Sequence, residues 1–126
     1  MDEKKHIQLE DLEIYQLARE LSKIGWKAYE QFDWQTKKVI GDQFITATDS
    51  VGANIAEGYG RYHYLDRIKF LYNSRGSLLE AIHWMSLLKE RNLVTEEILQ
   101  AFMQTADKAS PKLQNFIAAI YRSKND

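Results

Sequence analysis

Side chains that commonly carry catalysis or bind metals are sparse in this sequence. The three histidines (His6, His63 and His83) have no serine nucleophile at a suggestive spacing, and cysteine is absent. A chain without cysteine has neither a disulfide framework nor a thiolate zinc site. Glu80 and His83 match the Glu-x-x-His spacing of di-iron bundles, but such sites need that motif twice. We therefore expect no enzymatic activity, no metal site and no cofactor.

Aromatic and cationic side chains alternate in the run YGRYHYLDRIK, residues 59–69. Rings beside cations near a helix start are typical of surfaces that stack nucleic-acid bases and hold phosphates. The candidate nucleic-acid-binding residues are Arg61, Tyr62, Tyr64, Arg67 and Lys69, with Lys89 and Arg91 as further phosphate contacts. The alternative is a loop whose tyrosines pack over one end of the protein.

The charge of the chain is unevenly distributed. The net charge is −1, yet residues 1–60 carry 7 basic and 11 acidic side chains, while residues 61–91 carry 6 basic and 3 acidic ones. Most nucleic-acid binders show a stronger positive bias than this. Binding to nucleic acid therefore requires that the cations gather on one surface.

Apolar residues recur at steps of three and four along four segments, which predicts four helices. The predicted helices span about residues 12–32, 37–59, 64–91 and 96–122 of a single domain, 1–126. Thr36 and Thr95 are the expected N-caps of the second and fourth helices. Pro111 predicts either a kink in the fourth helix or its division into two. This pattern indicates an all-α, up-down-up-down antiparallel four-helix bundle.

Polar residues occur in the apolar register of the second and third helices. Arg75 lies between Leu71 and Leu78 on the predicted core stripe. Because a buried guanidinium without a partner is very costly, we expect Glu57 to pair with it. The predicted network is Asn54, Glu57, Arg75 and Ser77. It is interpreted as a structural ion pair that fixes helix register, with a ligand site between the helices as the alternative.

The third predicted helix is apolar on nearly all sides between Leu78 and Leu88. Its extra stripe consists of Ala81, Trp84 and Leu87. A bundle helix needs only one buried stripe, so this one indicates a subunit interface or a helix that contacts both neighbours.

No apolar run reaches the length of a membrane-spanning helix, and the start of the chain lacks a signal peptide. We expect a cytoplasmic protein with no membrane partner.

Three runs, SVGANIAEGYGR (residues 50–61), FLYNSRGSLLE (70–80) and LKERNLV (88–94), strongly resemble the four-helix-bundle family of 23S rRNA intervening-sequence proteins. The run DLEIYQLARELSKIGWKAY, residues 11–29, also fits the first helix of that family. The residues that match the family motif are Asn54, Glu57, Gly58 and Arg61 on one helix and Arg75, Ser77 and Glu80 on the next.

The resemblance implies a small bacterial bundle that assembles into a ring, typically a homopentamer, without catalytic residues. It also implies kinship with the accessory variability determinant protein of diversity-generating retroelements, a basic pentameric barrel that binds nucleic acid and a reverse transcriptase. We therefore expect a non-enzymatic homo-oligomer that binds RNA, the ribosome or another nucleoprotein. The alternative is a scaffold that docks a reverse transcriptase or another protein without contacting nucleic acid.

Overall fold

The computed structural model describes residues 8–123. A short 3-10 helix, Leu9–Asp11, precedes four long helices. They are α1 (Glu13–Glu30), α2 (Trp34–Thr36, a π-helical turn at Lys37–Gly41, and Asp42–Tyr59), α3 (Tyr64–Glu90) and α4 (Glu96–Arg122). No strand occurs among these residues. No helix within this range is both long enough and apolar enough to cross a membrane.

Each long helix packs against two others, so that α1 contacts α2 and α4, and α3 also contacts α2 and α4. The connections between consecutive helices are short, which places sequence neighbours side by side and antiparallel. The result is the four-helix bundle that the apolar periodicity predicts. The closest association is between α2 and α3, the two helices that carry the motif residues.

The core follows the predicted stripes, with two shifts. In α4 the buried residue near the C-terminal end is Ile117, whereas Phe116, which a strict heptad repeat from Leu99 places in the core, is half-buried. A straight helix drifts about 20° per heptad from a strict 3.5-residue repeat, which accounts for this shift. In α3, Ser74 is buried in place of Arg75, which is half-buried, and Ala81 is also buried. Small side chains at these positions suit the close packing of α3 against α2.

The helix ends show which capping predictions hold. Thr95 is the N-cap of α4, and its hydroxyl accepts a hydrogen bond from the backbone N–H of Ile98 at 3.2 Å. The prediction for Thr36 is wrong, because α2 begins one turn earlier and Asp33 caps it. The Asp33 carboxylate accepts from the Thr36 N–H at 2.8 Å. Pro111 lies inside an unbroken α4, so the two-helix alternative is wrong.

Candidate nucleic-acid interface

The connection between α2 and α3 forms one end of the bundle, and Gly58 allows the two helices to approach there. A Cβ at Gly58 would lie 3.2 Å from the Cβ of Phe70 and 3.4 Å from the carbonyl oxygen of Arg67. The first distance is tighter than ordinary van der Waals contact, and the second lies at its lower limit. Glycine at this position therefore lets the first turns of α3 pack directly against the end of α2.

The structure brings Arg61, Arg67 and Lys69 together, and we call these three residues the basic cluster. The guanidinium carbon of Arg61 lies 4.9 Å from the centre of the Phe70 ring, and Lys69 Nζ lies 5.9 Å from the same centre. Arg67 Nε donates a 3.0 Å hydrogen bond to the carbonyl oxygen of Arg61. This bond ties the connecting segment to α3.

Only one cation of the basic cluster is paired with a carboxylate within residues 8–123. Arg61 Nη2 lies 2.6 Å from Glu57 Oε2, and both side chains are about half-exposed. Arg67 and Lys69 make no salt bridge with the part of the chain that the structure describes. The basic cluster therefore retains positive charge that faces solvent.

The two predicted stacking tyrosines lie in different environments. Tyr62 is 87% exposed, and its ring meets that of His63 edge-on at 5.2 Å. Tyr64 is half-buried, and its ring meets that of Tyr121 edge-on at 6.0 Å. Tyr62 is thus free to contact a ligand, whereas Tyr64 matches the alternative in which a tyrosine packs over the end of the bundle.

Tyr64 belongs to a row of rings that local spacing in the sequence does not reveal. We call this row of Tyr64, Tyr121 and Tyr72 the tyrosine ledge. The rings of Tyr72 and Tyr121 are 6.4 Å apart, and the Tyr72 hydroxyl donates to the Tyr121 hydroxyl at 3.2 Å. The ledge joins α3 to the last turn of α4, a contact between residues 49 positions apart.

Lys89 and Arg91 do not join the basic cluster. Lys89 lies in the last turn of α3, and Arg91 follows directly after it. Twenty residues of α-helix between Lys69 and Lys89 correspond to about 30 Å. Apart from Arg75, which lies near the middle of α3, the cations of residues 61–91 are therefore divided between opposite ends of the bundle.

The predicted polar network does not form as expected. Arg75 Nη1 donates to Gln114 Oε1 at 3.2 Å, and its guanidinium carbon lies 5.1 Å from the centre of the Tyr72 ring. Glu57 pairs with Arg61 instead, and Asn54 donates to the carbonyl oxygen of Ser50 at 2.9 Å. Arg75 points towards α4 and keeps contact with solvent, so it does not require a buried carboxylate.

Ser77, the fourth predicted member of that network, lies elsewhere on α3. It lines a shallow groove of about 300 Å³ between α2 and α3, with Asp42, Ser50 and Glu80. The groove is open, and neither Arg75 nor Glu57 lines it. The four residues therefore do not make up one site.

The predicted interface stripe is largely part of the bundle itself. Ala81 is completely buried in the core, and Trp84 and Leu87 are half-buried against it. Trp84 Nε1 also donates to Glu80 Oε2 at 3.1 Å. Ala81 is therefore wrongly assigned to an interface, because it faces the neighbouring helices. The exposed aliphatic side chains of α3 are instead Leu65 (72% exposed) and Leu79 (60% exposed).

The described residues contain no group of three or more histidine, aspartate or glutamate side chains suited to a metal ion. Glu80 and His83 are both exposed. Glu80 accepts the hydrogen bond from Trp84, and the His83 ring lies 5.0 Å from the Trp84 ring. His6 lies outside the described residues.

Comparison with known proteins agrees with this architecture. No protein of curated function matches the chain. A solved structure with the same fold is a protein of unknown function from the S23 ribosomal protein family of Bacteroides thetaiotaomicron VPI-5482. It is 21% identical, with a TM-score of 0.76 over 82% of this chain and 97% of the other. The sequence profile described as "23S rRNA-intervening sequence protein" matches residues 10–115, so the chain belongs to that family.

Proposed function

We propose that this protein is a non-enzymatic, homo-oligomeric bundle that binds RNA, alone or within a nucleoprotein, in the cytoplasm. The contact surface is the end of the bundle formed by the α2–α3 connection. Arg61, Arg67 and Lys69 hold phosphates there, and Tyr62 offers a ring on which a base can stack.

The main support for this proposal is that the side chains of the basic cluster are held close together by the Phe70 ring and the Arg61 carbonyl oxygen. Phe70 orders Arg61 and Lys69, and the Arg61 carbonyl orders Arg67. Cations held in this way lose less side-chain entropy on meeting a phosphate than free lysines and arginines do. They also lie beside the most exposed aromatic side chain among the described residues, Tyr62.

Self-association is supported by the outer surface of α3. Leu65 and Leu79 are two heptads apart on α3, and both are exposed. Gly76 lies between them, where an added Cβ would meet nothing within 4 Å. Exposed apolar side chains at heptad spacing are typical of helices that pack against another helix. A ring of copies also repeats the basic cluster around an axis, which compensates for the mildly acidic net charge of the chain.

The first experiment is a fluorescence-anisotropy titration of nuclease-treated protein against structured RNA and duplex DNA at several salt concentrations. Saturable RNA binding that weakens linearly on a log–log plot against salt is the expected result, because each neutralised phosphate releases counterions. Absence of binding even at low salt would overturn the proposal. The exposed apolar surface of α3 would then favour the scaffold alternative, with a reverse transcriptase or another protein as partner.

A further inference from the structure

We infer that the RNA bound by this protein is recognised as an unpaired, single-stranded segment, and that the tyrosine ledge with Arg75 takes its bases. This inference rests on the proposed function and specifies the class of RNA. It adds Tyr72, Tyr121 and Arg75 to the site.

The first argument is the continuity of the ledge. The Tyr64 ring meets the Tyr121 ring at 6.0 Å, Tyr121 meets Tyr72 at 6.4 Å, and the Arg75 guanidinium lies over Tyr72 at 5.1 Å. Tyr64 and Arg75 are eleven residues apart on α3, which corresponds to about 16 Å. The row therefore begins in the first turn of α3, close in sequence to Arg61 and Arg67, and continues along the side of α3 that contacts α4.

The second argument is that the ledge is ordered yet accessible. The ring planes of neighbouring tyrosines meet at 72° and 60°, so the rings do not stack on one another. Tyr72 remains 38% exposed and Tyr121 41% exposed. Preorganised rings with free surface can accept a base without a large cost in side-chain entropy. Aromatic rings and arginine planes are the surfaces on which unpaired RNA bases stack.

The third argument is the small number of cations. The basic cluster contains three, and Glu57 already pairs with one of them. Phosphate contacts are the main source of affinity for a duplex whose bases are stacked inside, and the three cations that one copy offers provide little of it. Stacking on an aromatic side chain requires a base that is not already paired within a duplex. The combination of few cations and several rings therefore favours a single strand over a duplex.

The inference is tested with three labelled RNA probes of equal length at equal salt: an unpaired strand, a perfect duplex and an abasic ribose–phosphate strand. Wild-type protein is expected to prefer the unpaired strand by about tenfold or more over the other two, the range expected when aromatic rings stack one or more bases. The variants Tyr72→Leu and Tyr121→Leu keep the apolar bulk but remove the ring. Each is expected to lose most of the preference for bases while binding the abasic strand as wild type does. The variants Tyr72→Phe and Tyr121→Phe are expected to retain the preference.

Trp34→Leu is the matched control, because Trp34 is an exposed ring at the opposite end of the bundle, 74% accessible. It is expected to leave all three affinities unchanged. Equal binding of the three probes, or leucine variants that behave as wild type, would overturn the inference and leave the proposed function standing as a phosphate-only interface. Failure of every probe to bind at low salt would overturn both. Circular dichroism shows whether the leucine variants fold. If they do not fold, the comparison of the three probes with wild-type protein alone tests the preference for unpaired RNA.

Discussion

The hydroxyl of Ser74 on α3 donates a 2.8 Å hydrogen bond to the main-chain carbonyl of Val51 on α2, and both residues are completely buried. The bond crosses between the two helices that carry the motif residues. Because it joins a side chain to a backbone atom, it fixes the axial position of α3 relative to α2. It also accounts for the presence of a polar residue where the core would otherwise be entirely apolar.

Replacement of Ser74 measures the contribution of this bond. We expect Ser74→Ala to lower the free energy of unfolding by about 1 kcal/mol, the usual net value of one hydrogen bond. In the variant the Val51 carbonyl oxygen still accepts the backbone hydrogen bond of its own helix, so the loss of stability stays modest. Ser86→Ala, at an exposed site on the same helix, supplies the helix-propensity difference between serine and alanine. Urea unfolding curves for the two variants compare them directly, and identical midpoints would show that the bond contributes nothing.

Alanine substitutions at two glycines of the motif region should change the free energy of unfolding in opposite directions. Gly76→Ala is expected to raise the free energy of unfolding by about 0.5–1 kcal/mol, because an exposed helix interior favours alanine and the space there is open. Gly58→Ala is expected to lower it, because its Cβ would press on Phe70 and the Arg67 carbonyl.

The glycine pair also tests the outer surface of α3. If copies of the chain pack closely at Gly76, the alanine variant should have a weaker tendency to assemble in sedimentation experiments, although its unfolding midpoint rises at low protein concentration. A lower midpoint for Gly76→Ala than for wild type would contradict the open environment that the structure shows.

Local patterns predicted the four helices and the N-cap Thr95 because these depend on residues a few positions apart. The core position of α3 depends instead on long-range packing. Arg75 fits the predicted stripe by spacing, but Ser74 replaces it because a small hydroxyl can reach the Val51 carbonyl across a close helix contact. Contacts such as that of Tyr72 with Tyr121 join distant parts of the chain, so no local spacing reveals them.

The Glu57–Arg61 pair is exposed, which gives a clear expectation for its removal. Glu57→Gln should change the free energy of unfolding by less than about 1 kcal/mol, since solvent screens a pair of this kind. Arg61→Gln serves as the reciprocal control, because it removes the other charge of the same pair. A loss of about 3–5 kcal/mol in thermal or urea unfolding would instead indicate a broken buried ion pair and would favour the pairing of Glu57 with Arg75 that the sequence predicts.

Capping by Asp33 predicts a pH-dependent contribution to stability. The backbone N–H of Thr36 donates to the Asp33 carboxylate, which holds the pKa of Asp33 below its ordinary value. A folded-state pKa below the unfolded one means that the stabilisation is present above about pH 4 and disappears as the pH falls through the folded value.

The corresponding experiment compares thermal midpoints across pH. Asp33→Ala should melt a few degrees below wild type at neutral pH, because an N-cap is lost. That difference should shrink as the pH falls below about 4. Asp33→Asn keeps a capping oxygen that does not titrate, so its melting temperature relative to Asp33→Ala should not depend on the charge of residue 33. A constant gap between wild type and Asp33→Ala down to strongly acidic pH would contradict this account.

Removal of the basic cluster distinguishes a local phosphate site from a general effect of net charge. The triple variant Arg61→Gln, Arg67→Gln and Lys69→Gln should bind RNA more weakly and reduce the log–log salt slope by about 2 units, given about 0.7 per phosphate contact on a single strand.

The matched control removes three charges from the opposite end of the bundle, at Lys37, Lys89 and Arg91. Both variants have the same net charge, so long-range attraction falls equally in both, and only the loss of direct contacts differs between them. Equal losses of affinity and slope in the two variants would place the RNA contact elsewhere on the protein. A loss confined to the Arg61, Arg67 and Lys69 variant would show that the segment linking α2 and α3 holds the phosphates, because position rather than charge then determines the outcome.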